Sequence, residues 1–163
     1  MKILALDLSL TCTGYSVLEV VNGSVTLLEK GHIPTKSKEC MGSRLERITL
    51  ILGEVLNRYD SSISEVVREA SFSNGRIKAT QSIFMVNGAI TLDLYRYGYP
   101  TIHEVYNTTI KKTIGGTGKS TKEMVQQGLE KYVGEHVYKK EDESDSVAVG
   151  LTWLIQQKLI EQI

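Results

Sequence analysis

The first seven residues constrain this chain more than any other stretch. Met1-Lys2-Ile3-Leu4-Ala5-Leu6 is almost wholly apolar and reads as a buried strand, and Asp7 follows it directly. An isolated carboxylate at the edge of a core is costly unless something compensates its charge. A strand-end aspartate is ordinarily a turn residue. The core-like run before Asp7 sets it apart and asks for a partner.

The residues that follow predict the sheet around it. Segments 13–20 and 24–31 read as strands, and Asn22-Gly23 between them is a two-residue hairpin turn. The first 31 residues therefore form a three-stranded antiparallel meander. Segment 44–59 has apolar residues at Leu45, Ile48, Ile51, Leu52, Val55 and Leu56, a helical period. A fourth strand spans 64–70 with Glu69 at its end. Segment 77–97 is a second helix stopped at Gly98, and 101–106 is a fifth strand after Pro100. Residues 114–118 read as a flexible loop. Segments 121–132 and 142–160 are the last helices, the latter with a stripe of Val147, Leu151, Leu154, Ile155 and Leu159. The order β-β-β-α-β-α-β-α-α predicts an α/β fold. Its mixed five-stranded sheet joins the antiparallel meander to parallel strands and carries helices on its faces.

Composition narrows the function. The 163 residues suit one domain over 1–163 with a sizeable core. No apolar run approaches the ~20 residues that span a bilayer, and no leader peptide is expected, so neither is a membrane partner. Cys12 and Cys40 share no ligand spacing and read as free thiols of a cytoplasmic protein. Nineteen basic and nineteen acidic residues cancel, which argues against indiscriminate coating of nucleic acid. The charges are unevenly placed, however. Residues 108–122 hold four lysines and no acid, and four of the five residues 141–145 are acidic. Such blocks are ordinarily solvated surface.

Four carboxylates could meet. Asp7 and Glu69 close strands that can lie side by side in the same direction. Asp142 and Asp145, three apart at the start of the last helix, share one face. Taken singly, first-turn acids favour the helix dipole by ~0.3–1 kcal/mol, and Glu69 is an ordinary surface residue. Taken together, four hard oxygen donors suit Mg²⁺ or Mn²⁺, and a pair of such ions ~3.5–4 Å apart is a standard arrangement for phosphodiester cleavage. "IGGTGKST" lacks the full phosphate-loop spacing, because Thr113 stands five residues before Gly118. No nucleotide cofactor is expected.

Over nearly its whole length the chain resembles the RuvC family of Holliday junction resolvases, within the RNase H-like superfamily. The resemblance rests on "LALDLSLTCTGYSVLE", "EASF", "MVNGAI", "TIKKTIGGTGKSTKEMVQ" and "DESDSVAVGL", taken in that order and spacing. It implies an RNase H-like fold and a Mg²⁺-dependent endonuclease, Mn²⁺ substituting, with two ions per site. It places the metal carboxylates on Asp7, Glu69, Asp142 and Asp145, and the active-site lysines on Lys111 and Lys122. Lys112 competes with its neighbour Lys111 for the place facing the site. Phe72 falls on an aromatic that works against bases at the junction centre. Asn74, Arg76, Lys78, Lys112 and Lys119 join Phe72, Lys111 and Lys122 as DNA contacts.

The implied partners are a four-way DNA junction and a second copy of the chain. The helix over 77–97, with Ile83, Phe84, Val86, Ile90, Leu94 and Tyr97, is the expected dimer face. Two departures stand out. Leu8-Ser9 replaces the family's Pro-Gly after the first Asp, and Asn107 replaces a Pro before the lysine segment. They point to a divergent, phage-borne branch. The alternatives are a nuclease of broader taste for forks and flaps, and a DNA-binding member without catalysis.

Overall fold

The computed structural model describes residues 1–60, 62–71, 75 and 77–163. Five strands form one sheet: β1 (Lys2–Asp7), β2 (Cys12–Val21), β3 (Ser24–Pro34), β4 (Ile63–Glu69) and β5 (His103–Val105), in the order β3-β2-β1-β4-β5. The pairs β1/β2 and β2/β3 are antiparallel, while β1/β4 and β4/β5 are parallel. The meander turns at Asn22-Gly23, where both residues have positive φ, 51° and 78°. That is the turn geometry whose twist matches two strands joined by two residues.

Helices cover both faces, and each face has its own core. On one side, α1 (Met41–Arg58) and α2 (Ile77–Arg96) pack Ile48, Leu52, Val55, Val86, Ile90 and Leu94 against Leu4, Leu6, Val17 and Val66. On the other lie α3 (Asn107–Gly115), α4 (Lys122–Val133) and α5 (Glu141–Gln156). Their Ile110, Leu129, Val147 and Leu151 meet Ile3, Ala5, Leu18 and Val67. The β1 strand alternates between these two cores, so Ile3 to Leu6 are all buried. The α5 helix lies across β1 and β2 at close range, because Gly150 has no side chain to hold it off. A Cβ there would sit 3.0 Å from that of Ala5.

Three expectations need correction. Residues 107–115 are a helix, α3, where the sequence predicts no element over 107–113 and a loop from 114. Its apolar face is only Ile110 and Ile114, one turn apart, and Asn-Thr-Thr at its start are weak helix formers. Ile114 is buried, not part of a flexible loop. The fifth strand is shorter than 101–106, since its ladder to β4 spans only His103 to Val105. The last helix stops at Gln156, and Lys158, at φ 58°, turns the chain away.

The helix over 77–97 also divides its apolar residues. Val86, Ile90 and Leu94 are buried in the chain's own core, whereas Phe84 and Tyr97 are exposed. No helix among the described residues is long and apolar enough to cross a membrane.

Candidate active site

The carboxylates gather at one end of the parallel strands. In the β1/β4 ladder Leu6 pairs with Arg68, so Asp7 and Glu69, one residue further along each strand, emerge together. Asp7 also pairs with Gly14 of β2. The absence of a side chain on Gly14 admits the first turn of α5. A Cβ there would overlap the carbonyl of Asp142 and come within 3.0 Å of that residue's Cβ. Asp142 and Asp145 are thereby brought to the strand ends.

The turn after Asp7 is held without Pro-Gly. Leu8 and Leu10 are buried in the α1/α2 core. The Thr13 hydroxyl donates to Ser9 O (2.7 Å) and accepts from Ser9 N (3.3 Å). Leu10 O accepts from the Thr35 hydroxyl and from the Arg44 guanidinium, the latter at 3.1 Å.

The acids act on one another through their charges. Burial, followed by the charges of Asp145, Glu69 and Asp142, pushes the Asp7 carboxyl up to about 8, with Lys122 opposing. Glu69 is raised by burial and by Asp145, against the Asn107 amide, Lys111 and Lys122. Asp145 is raised mainly by burial, against Lys122. Each group disfavours the ionised form of its neighbours. Among the described residues no three of these side chains stand close enough together to hold a metal ion as they are. As a donor set of hard carboxylate oxygens they nevertheless fit an oxygen-seeking divalent cation, which would offset the charge that they concentrate.

A cleft of about 170 Å³ opens beside them. Glu69, Asp145, Lys111 and Lys122 line it above Ile110 and Val125. Lys111 therefore faces the site, whereas its neighbour Lys112 is exposed and absent from the cleft wall. Lys122 donates to Glu141 (2.7 Å) and lies 3.5 Å from Asp145 Oδ2. Lys78 and Lys119 are exposed. Phe72, Asn74 and Arg76 lie outside the described residues.

Two residues here were not anticipated. Asn107 Nδ2 donates to Glu69 Oε1 at 3.0 Å. Glu143, between the two aspartates of α5, is not solvated surface; it is only 3 % exposed. Its Oε1 lies 2.6 Å from His32 Nδ1, and its Oε2 accepts from Lys139 N at 2.9 Å. Burial opposes its ionisation, but the His32 contact, the Lys139 N–H and the Lys30 charge win and hold it below the usual carboxylate range. The only sequence signal was its place inside an acidic block.

The family model of the crossover junction endodeoxyribonuclease RuvC matches residues 3–153. The chain belongs to the RuvC family. These proteins are metal-dependent nucleases. RuvC of Ehrlichia chaffeensis is 34% identical over 158 residues, covering 97% of this chain and 99% of that protein. RuvC of Orientia tsutsugamushi, strain Boryong, is 30% identical over 161 residues, covering 98% of each. Among solved structures, T. thermophilus RuvC in complex with a Holliday junction substrate superposes with a TM-score of 0.87 at 22% identity. That match covers 98% of this chain and 96% of the other. The yeast mitochondrial Holliday junction resolvase matches at 0.68 and 14% identity, covering 96% and 79%. At these identities the structural likenesses bear on the fold, which is the RuvC, RNase H-like one expected from the sequence.

Proposed function

We propose that this chain is a cytoplasmic endodeoxyribonuclease that resolves Holliday junctions by paired, symmetric phosphodiester cleavage. The observation that carries the reading is the convergence of Asp7, Glu69, Asp142 and Asp145 at one end of the sheet in a member of the RuvC family. Asp7, Glu69, Asp142 and Asp145 would hold Mg²⁺, or Mn²⁺ in its place, as two ions. Such ions supply an activated water and charge stabilisation at the scissile phosphate.

The chain's own residues set the rest. Lys111 and Lys122 stand on the cleft wall, where an ammonium can offset charge that develops on the phosphate during displacement. Lys122 shares its ammonium with Glu141, which competes for it. The flanking DNA contacts would come from Lys78, Lys112 and Lys119 and from Phe72, Asn74 and Arg76.

Paired cutting calls for two sites related by a twofold axis, and hence a homodimer. The outer face of α2 supports this, with Ile77, Phe84, Met85, Leu92 and Tyr95 all about half exposed or more.

The test is cleavage of a labelled four-way junction beside duplex, fork and flap, with Mg²⁺ or Mn²⁺ and Asp7→Asn as control. Paired cuts on the junction alone are expected. Equal cutting of forks and flaps would replace junction resolution with general debranching. Metal-dependent binding with no cleavage would leave a DNA-binding member of the family.

A further inference from the structure

Glu69 carries a neutral side-chain donor, an amide, on one of its carboxylate oxygens. Its Oε1 accepts from Asn107 Nδ2 at 3.0 Å. The backbone sets the two residues side by side. Glu69 pairs with Val105 in the β4/β5 ladder, and Ala70 N donates to Val105 O at 2.8 Å. Two residues beyond Val105 the chain enters α3, and Asn107 is its first residue. The amide thus arises beside the strand end that carries Glu69, and both residues line the same cleft.

We infer that Asn107 is a positioning residue for Glu69: it engages one carboxylate oxygen and turns the other towards the cation held with Asp7 and Asp145. Among the described residues Oε1 has this single side-chain donor, and Oε2 has none. A free glutamate at a strand end samples several rotamers, and fixing it before the cation arrives removes that entropy cost from binding. The chemistry of the donor matters. An ammonium in this place would add a charge that repels the cation. A carboxylate would repel Glu69 or compete for the ion. A carboxamide does neither, because it donates without carrying charge.

The inference rests on the metal-site reading above, and the experiment separates the two. Mn²⁺ is titrated calorimetrically into DNA-free protein for wild type, Asp7→Asn, Asn107→Ala, Asn107→Ser, Glu69→Gln and the double variant Asn107→Ala/Glu69→Gln. Serine is tolerated at a helix start but is too short to reach Glu69, so it serves if the alanine variant folds poorly. Asn107→Ala and Asn107→Ser are expected to weaken Mn²⁺ binding by about tenfold, as loss of a ligand's supporting hydrogen bond does. In the Glu69→Gln background the alanine change should add no further loss, because there is no carboxylate left to orient. A loss that persists undiminished in that background would mean damage to α3 at large and would overturn the inference. So would unchanged affinity in both Asn107 variants while Asp7→Asn weakens binding. Unchanged affinity in Asp7→Asn would overturn the metal reading, and this inference with it.

Discussion

Gly14 and Asp142 meet where no side chain could fit between them. A Cβ on Gly14 would overlap the Asp142 carbonyl carbon and oxygen, both backbone atoms that cannot swing aside. Gly14 is also the ladder partner of Asp7. One missing side chain therefore sets the spacing between the first and third carboxylates of the site. Gly14→Ala should lower stability by about 1–3 kcal/mol, the range for overpacking a tight contact. Cleavage should fall further than stability, because the start of α5 must move away from Asp7. Denaturant unfolding beside a junction-cleavage assay checks this. Stability within about 0.5 kcal/mol of wild type would show that α5 does not bear on Gly14.

Asp7 is expected to trade stability for function. Its carboxyl is pushed up to about 8 from 3.8, first by burial and then by Asp145, Glu69 and Asp142. Between those values the folded chain holds a proton that the unfolded chain has lost, so this group's contribution to stability falls as pH rises from about 4 to about 8. Metal-free protein should melt at lower temperature as pH rises through that window. A divalent cation, which prefers the ionised form, should raise the melting point more at pH 8 than at pH 6. Asp7→Asn should flatten both trends, stabilise the metal-free protein at pH 8 and abolish cleavage while leaving junction binding largely intact. Thermal melts in chelator and in Mg²⁺ across pH test the first part. A variant that cuts like wild type would remove Asp7 from the site.

Lys122 should matter to chemistry and little to folding. Its contacts with Glu141 and Asp145 lie at the surface, the Lys122 and Glu141 side chains being 61% and 76% exposed. Such pairs contribute about 0–1 kcal/mol. Lys122→Ala should therefore unfold within about 1 kcal/mol of wild type, yet lose about 10²-fold in single-turnover cleavage, the scale for removing one donor from a developing anion. Glu141→Gln should leave cleavage at or above the wild-type rate, since it frees Lys122. A slower Glu141→Gln would instead make Glu141 part of the site.

Much of this architecture could be read from local chemistry. Asn22-Gly23 carries a turn that few other dipeptides form, and the alternating and continuous apolar runs fix the faces of β1 to β4. The carboxylates could be gathered because Asp7 and Glu69 close strands while Asp142 and Asp145 open a helix, and strand direction decided which ends meet. What escaped the sequence depends on contacts between distant residues. Helix α3 shows only two apolar positions, so its pattern is too short to distinguish from loop. Asn107 and Glu69 are separated by 38 positions, and the β4/β5 register alone brings them together. Glu143 sits among solvated acids in sequence, but His32, 111 positions away, receives it in the interior. The choice between Lys111 and Lys112 needed the rotation of α3, which adjacent residues of one type do not reveal.

The outer face of α2 provides the remaining prediction. Phe84, Leu92 and Tyr95 are 54%, 52% and 64% exposed, while Val86, Ile90 and Leu94 on the inner face are buried. Substituting the inner residues would unfold the chain, so the outer ones are the informative choice. A twofold axis across this face would set each apolar residue near its own copy, so one change acts twice at an isologous contact. Leu92→Glu or Tyr95→Glu should place facing carboxylates in the interface and give a folded monomer by sedimentation at micromolar concentration. Each monomer keeps all four carboxylates, so single nicks on a junction should persist while paired cuts within one binding event disappear. If these variants still sediment as wild-type dimers, the pairing surface lies elsewhere. If wild type is itself a monomer that makes paired cuts, the dimer is not the source of symmetry.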